Sequence, residues 1–255
     1  MTGLPQTEVE GIALPAPAPT DHHLLPSLQS MLVLAVVALF FITFTFQPFR
    51  IPSASMEPTL LVGDFLLVDK QITPDPFLLP PSALHRGDVI VFHDPIDRTQ
   101  HLVKRIVGVP GDHIRLRAGR VILNGQPLDE PYAVYRGAGR NQYRDNFPNA
   151  TMPDSDVDAN WWIRLRDLVN HGDLVIPPDN YFVLGDNRND SLDSRFWGFV
   201  PRSAIVGRPF LIYLSLRLRD NDPSSESSPG FSPTATTTPS LLNFARWSRT
   251  LTVIH

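Results

Sequence analysis

In Leu102-Val103-Lys104-Arg105-Ile106-Val107-Gly108-Val109-Pro110-Gly111-Asp112, Leu102 to Val109 reads as a short buried strand bounded by Gly, Pro and Asp. Two-residue alternation puts Lys104 on the face of Leu102 and Ile106, and Arg105 on the face of Val103 and Val107. Similar runs occur at Phe65–Val68, Asp88–Phe92, Tyr181–Leu184 and Ala204–Leu216. Val121–Leu128 carries Asn124-Gly125, the pair that favours a type I′ hairpin turn. The expected class is mainly β.

Composition agrees with that reading. Of 255 residues 26 are Pro and 15 Gly, about one proline in ten, which disfavours a long-helix bundle. Hydrophobic residues make up 42% and charged residues 19%, so the chain can bury a core. Twenty-two basic against 26 acidic residues give a net charge of −4, and no global basic charge points to a nucleic-acid partner. Without cysteine there is no disulfide frame, thiolate metal site or thiol nucleophile, and the eight histidines show no metal-ligand spacing. Covalent chemistry must use oxygen or nitrogen. Only Lys70 and Lys104 of the basic residues are lysines. Arg cannot release its proton in a protein, so these are the two candidates for a neutral amine.

Along the chain, residues 1–28 hold Pro5, Pro15, Pro17, Pro19 and Pro26 without apolar periodicity and are expected to be a disordered tail. No charge occurs from Leu24 to Phe49, and Met31–Phe46 is apolar apart from Thr43 and Thr45. Residues 29–47 are therefore expected to be a transmembrane anchor, for which about 20 residues are needed. A cleaved secretory signal would want a basic stretch before it, and residues 1–30 have no Lys or Arg. Glu8, Glu10 and Asp21 before the run and Arg50 after it would, by the positive-inside rule alone, put the C-terminal side in the cytoplasm. Residues 48–133 and 172–219 are expected to form a β domain, with 134–171 a polar insertion. Residues 220–240 read as a Ser/Pro/Thr linker and 241–255 as a returning, partly apolar segment.

Three segments can carry chemistry. In Pro52-Ser53-Ala54-Ser55-Met56-Glu57-Pro58-Thr59, two hydroxyls two residues apart project from one face of an extended chain. Ser55 lies within about 30 Å of chain from Phe46, close to the expected bilayer. The alternative is a Ser-rich turn. Lys104 sits between apolar neighbours, where lost hydration lowers an amine's pKa and makes it a proton acceptor for serine. The alternative is an edge lysine reaching water. Gly185–Gly198, dense in Asp, Asn, Ser and Arg, is either a fixed polar network or a solvated loop. As a calcium loop it would place Arg188 at a ligand position and has no closing Glu.

In this order, Pro52–Leu60, Arg86–Phe92, Lys104–Asp112 and Gly185–Gly198 closely resemble the boxes of bacterial type I signal peptidases, the membrane-bound Ser-Lys endopeptidases of family S26. The resemblance implies a twisted antiparallel β-sheet catalytic domain with a β-rich insertion, behind one N-terminal transmembrane helix. It implies Ser55 as nucleophile and Lys104 as general base, with Ser53 and the Ser55 amide as oxyanion donors. Ser191 would orient the lysine amine, supported by Asp193, Arg195, Asp186 and Arg188. Pro48, Ile51, Met56, Leu60 and Val103 would line pockets for small side chains at −1 and −3 of the cleavage site. Asn189-Asp190-Ser191 departs from the usual Asp-Asn-Ser, and Leu102 stands where an aromatic is often seen. The Arg246-Trp247-Ser248-Arg249 to His255 ending resembles the closing strand.

No metal or cofactor is implied. The expected partners are signal peptides of exported preproteins, the lipid bilayer and the secretion translocon, with the catalytic domain on the extracytoplasmic side of the bacterial inner membrane. Two other readings are a self-cleaving repressor, which would need a DNA-binding domain, and a silent membrane-tethered scaffold for exported chains.

Overall fold

The computed structural model describes residues 24–70, 83–137, 139–149, 152–217 and 245–254. Most of the expected tail and the linker lie outside the described residues. The chain divides into two compact units, Met1–Ile42 and Thr43–His255.

In the first unit begins α1, Leu24–Thr45, 22 residues with no charged side chain. Side chains are described for its residues 27–39, which are exposed and mostly apolar. That stretch is about 20 Å long at 1.5 Å per residue. Among the described residues no helix is long and apolar enough to cross a membrane.

The second unit is built on antiparallel sheets. β1 (Phe46–Arg50), β2 (Asp64–Asp69), β3 (Val89–His93), β4 (His101–Gly108), β10 (Asn180–Leu184), β11 (Val200–Pro201) and β12 (Ile205–Ser215) form one sheet in the order β1-β2-β12-β3-β4-β10-β11. β13 (Thr252–Val253) adds onto β12, Leu211 opposite Val253. The smaller sheet runs β7 (Gln126–Pro127), β6 (Arg120–Leu123), β5 (His113–Arg117), β9 (Asp173–Val175), β8 (Val169–Asn170). The Asn124-Gly125 turn joining β6 and β7 has φ of 50° and 80°, the positive pair a type I′ turn requires. Where β4 leads into β5, buried Asp112 takes Nε and a second guanidinium nitrogen of Arg86, the Val109 amide and Asn124 Nδ2.

Residues 134–171 differ from the expected β-rich, polar insertion. They hold α2 (Gln142–Asp145) and α3 (Ala159–Leu168), each N-capped by a side chain, Asn141 and Asp158. Three of their aromatic residues turn inward: Tyr143, Phe147 and Trp161 pack with Ile106, Ile114 and Phe182 in the larger core, while Tyr135 stays exposed. Each fully buried side chain of this size contributes about 1.5–3 kcal/mol. A second core, of Ile51, Met56, Leu60, Leu66, Val91 and Ile212, lies behind the segment that carries Ser55.

Candidate active site

Ser55 lies in a single 3-10 turn, Ala54–Met56, between β1 and β2. Burial of Met56 and Leu60 in the second core seats the turn. Lys104 is the fourth residue of β4, opposite Ile90 of β3. Both are buried, at 8% and 3% exposure, and Lys104 Nζ donates to Ser55 Oγ at 2.6 Å. Loss of hydration pushes the amine down to about 8, although Asp193, Asp186 and Asp190 pull it up. Burial wins because none of those carboxylates is hydrogen-bonded to the amine, and Arg195 opposes them. A neutral amine at this distance reverses the hydrogen bond and accepts the hydroxyl proton.

Ser53 is exposed, and its Oγ lies 3.3 Å from Ser55 Oγ. It makes no cap to the turn it precedes, so its hydroxyl is available to a ligand. A cavity of about 50 Å³ opens beside both serines, lined by Phe49, Arg50, Ile51, Pro52, Met56 and His101 together with Leu102, Val103 and Lys104. Ile51, Met56 and Val103 thus meet at one cavity. Pro48 and Leu60 do not line it: Pro48 pairs with Leu67 on the exposed side of β1, and Leu60 is fully buried in the core beneath.

Behind Ser55 and Lys104 runs the loop after β10. Gly185 passes so close that a Cβ there would lie 2.4 Å from Ser191 Oγ and 2.5 Å from the Ser55 carbonyl oxygen. The Asn187 amide donates to that same Ser55 oxygen at 3.1 Å, tying the loop to the Ser55 turn. Asp193 caps α4 (Ser194–Trp197) and takes two guanidinium bonds from Arg195, at 2.8 and 2.7 Å. It also accepts from Ser191 Oγ at 2.8 Å and from the Gly185 amide. Burial pushes the Asp193 carboxyl up, but Arg195 beside it outweighs that and holds it below the usual carboxylate range. Ser191 therefore spends its proton on Asp193, and its influence on Lys104 runs through that carboxylate.

Asp186 and Arg188 anchor the loop outward. Asp186 receives Nε and a second nitrogen of Arg105 at 2.9 and 2.8 Å and the Thr59 hydroxyl at 2.5 Å, while Tyr132 covers the Arg105 guanidinium. Arg188 donates to the Gly185 carbonyl and forks onto Glu130. From the helical segment, Tyr143 Oη and Trp161 Nε1 both donate to the Arg195 carbonyl, at 2.6 and 3.1 Å, and Arg144 reaches the Asn189 carbonyl.

Sequence reasoning did not single out Thr59, Arg105, Glu130, Tyr132, Tyr143, Trp161 or Gly185 as members of this site. Thr59, Arg105 and Gly185 sit inside the quoted boxes, so proximity to the motif was the available signal. The others come from distant segments, and nothing local marks them. Among the described residues no group of three or more His, Cys, Asp or Glu side chains could share a metal ion.

The family described as signal peptidase, peptidase S26, matches residues 24–214. Signal peptidase I of Leptolyngbya laminosa is 36% identical over 195 residues, 74% of this chain and 78% of its own. Probable signal peptidase I-2 of Synechocystis sp. is 33% identical over 202 residues, covering 76% and 75%. Signal peptidase I of Aquifex aeolicus is 35% identical over 216 residues, covering 72% and 82%. A solved signal peptidase I from Enterococcus faecalis aligns at 30% identity with 50% of this chain and 97% of its own, at a TM-score of 0.37, too low to bear on the fold.

Proposed function

The chain belongs to the signal peptidase family, peptidase S26, and is a serine peptidase; from that premise we propose that Ser55 is its nucleophile and Lys104 its general base. The observation that carries the reading is the buried 2.6 Å contact between Lys104 Nζ and Ser55 Oγ. The substrate is an exported preprotein, cut after its signal peptide.

In the first half-reaction neutral Lys104 takes the Ser55 proton as Ser55 Oγ bonds to the carbonyl carbon of the −1 residue. The oxyanion is held by the Ser55 amide and the Ser53 hydroxyl; one such donor is worth about a hundred- to a thousand-fold in rate. As the C–N bond breaks, the lysine ammonium gives its proton to the leaving amine. Water then loses a proton to Lys104 and attacks the acyl-enzyme, and Ser55 recovers its proton as the ester C–O bond breaks. Ser191, Asp193 and Arg195 act as positioning residues, with Asp186 and Arg188 fixing the loop that carries them.

The small volume beside Ser55, about 50 Å³ and lined by Ile51, Met56 and Val103, supports small side chains at −1 and −3. A single membrane anchor rests on the sequence of residues 29–47, where Met31–Phe46 is apolar apart from Thr43 and Thr45 and no charge occurs. Function then sets the catalytic unit on the extracytoplasmic side, against the sparse charges flanking the helix, beside the bilayer and the translocon that delivers substrate.

The test is cleavage of a preprotein with an Ala-X-Ala site by the full chain in lipid vesicles, beside Ser55→Ala and Lys104→Ala. Cut after the final Ala, abolished in both variants, is the expected result. Cleavage that survives Ser55→Ala would overturn the assignment.

A further inference from the structure

One wall of the cleft takes no part in the steps above. His93 ends β3 and His101 begins β4, and the two are paired across the ladder with ring centroids 4.4 Å apart. On its other side His101 meets Phe49 of β1, centroids 5.1 Å apart. Three strands separate β1 from β4 in the sheet, so this contact crosses the sheet's curl instead of following its ladder. Phe49 and His101 line the same cavity as Ser55 and Lys104, His101 exposed at its mouth and His93 half-buried behind it.

The charges around the pair are unbalanced. From β1 comes the cation Arg50, which lines the cavity, and from β4 comes Lys104. The loop after β3 brings Asp94, Asp97 and Arg98, but its carboxylates are turned inward. Asp94 Oδ1 accepts the Ile96 amide, and Asp97 is taken by Thr99 and Gln100. The Arg98 carbonyl lies 3.2 Å from His93 Nδ1, and a carbonyl only accepts, so that nitrogen carries the proton. From the far side Pro201, Ser203 and Ala204 approach His93 without a titrating group. Among the described residues the only histidine near a carboxylate at ion-pair distance is His85, not this pair.

The neutral rings pack at a tilt of 43°, whereas an imidazolium at His101 would face the cation Arg50 across the same cavity. We propose that His101, held between Phe49 and His93, is a substrate-contacting wall of the cleft, and that protonating His101 splits that wall and weakens peptide binding. The proposal rests on the Ser55–Lys104 reading, which makes this cavity the cleft. Partial burial and the neighbouring His93 hold His101 below the ordinary histidine value, so the wall stays neutral at pH 7.

The experiment is a pH profile of kcat and kcat/KM for cleavage of an Ala-X-Ala preprotein by the full chain in lipid vesicles, for wild type, His101→Phe and His93→Phe. kcat reports the bound complex and kcat/KM the free enzyme. In wild type, kcat falls on the acid side with the lysine limb alone, whereas kcat/KM shows that limb and a second one below the histidine value. Below the second limb KM climbs about tenfold per pH unit if one proton excludes substrate. Phe keeps a ring of similar size in the tilted contact and removes the proton, so His101→Phe loses the second limb and keeps the first, and His93→Phe weakens it. A second limb unchanged in both variants, or missing from wild type, overturns the proposal while the lysine limb still stands. Loss of the lysine limb itself would instead sink the dyad reading.

Discussion

In the proposed mechanism Lys104 must be neutral to act, and with a pKa of about 8 only about a tenth of the enzyme would be competent at pH 7. The sign follows: protonation removes the base, so kcat/KM rises about tenfold per pH unit below that value and levels above it. Lys104→Arg keeps the charge but cannot deprotonate, and cleavage by it should be undetectable; appreciable turnover would remove Lys104 from the mechanism. Gly185 has a different constraint. With Ser191 Oγ and the Ser55 carbonyl both within 2.5 Å of any Cβ, Gly185→Ala must push the nucleophile turn away from its loop. The expected loss is about 1–3 kcal/mol of stability by urea denaturation, with a drop in kcat of at least about tenfold. Wild-type behaviour in both would contradict the close packing.

The elements that hold the dyad were unequally legible. Strands β2, β3, β4, β10 and β12 follow from alternation and from Gly and Pro punctuation, and the Asn124-Gly125 turn from its own chemistry. β1 could not be read, because Phe46 continues an uncharged apolar run without a break and only pairing with β2 makes it a strand. Residues 134–171 looked polar because their apolar positions are few, yet Tyr143, Phe147 and Trp161 each fill the core, and two of them brace the Arg195 carbonyl. Tyr143→Phe should therefore cost about 1 kcal/mol in urea denaturation and leave the fold intact; no change would mean the bond is idle. Asp193→Ala leaves Arg195 buried and unpaired and should cost about 3–5 kcal/mol, whereas replacing both with Leu and Met should recover much of it. Asp193 titrates below its unfolded value, so its stabilisation is complete above about pH 4 and is lost as pH falls through the lower folded pKa.

At the scale of the whole chain, sequence carried the order of the four boxes and so the dyad, while the outward ties of the loop, Glu130 to Arg188 and Thr59 to Asp186, needed the fold. Glu130 lies outside every box and carries no local pattern, and Thr59 and Asp186, though each inside a box, are 127 residues apart, so their pairing was not legible. Orientation can be tested because the chain has no cysteine: Gln126→Cys, on an exposed hairpin, should react with an impermeant thiol reagent in intact spheroplasts. Protection there, with labelling after lysis, would put the catalytic unit in the cytoplasm. The composition also makes the central claim directly measurable, since the full chain holds two lysines, Lys70 and Lys104. With lysine isotope-labelled at Cε, NMR titration of the full chain in micelles should show one resonance titrating at about 8 and absent from Lys104→Arg. Two lysines that both stay protonated to about pH 10 would contradict a neutral amine at Ser55 and the mechanism built on it.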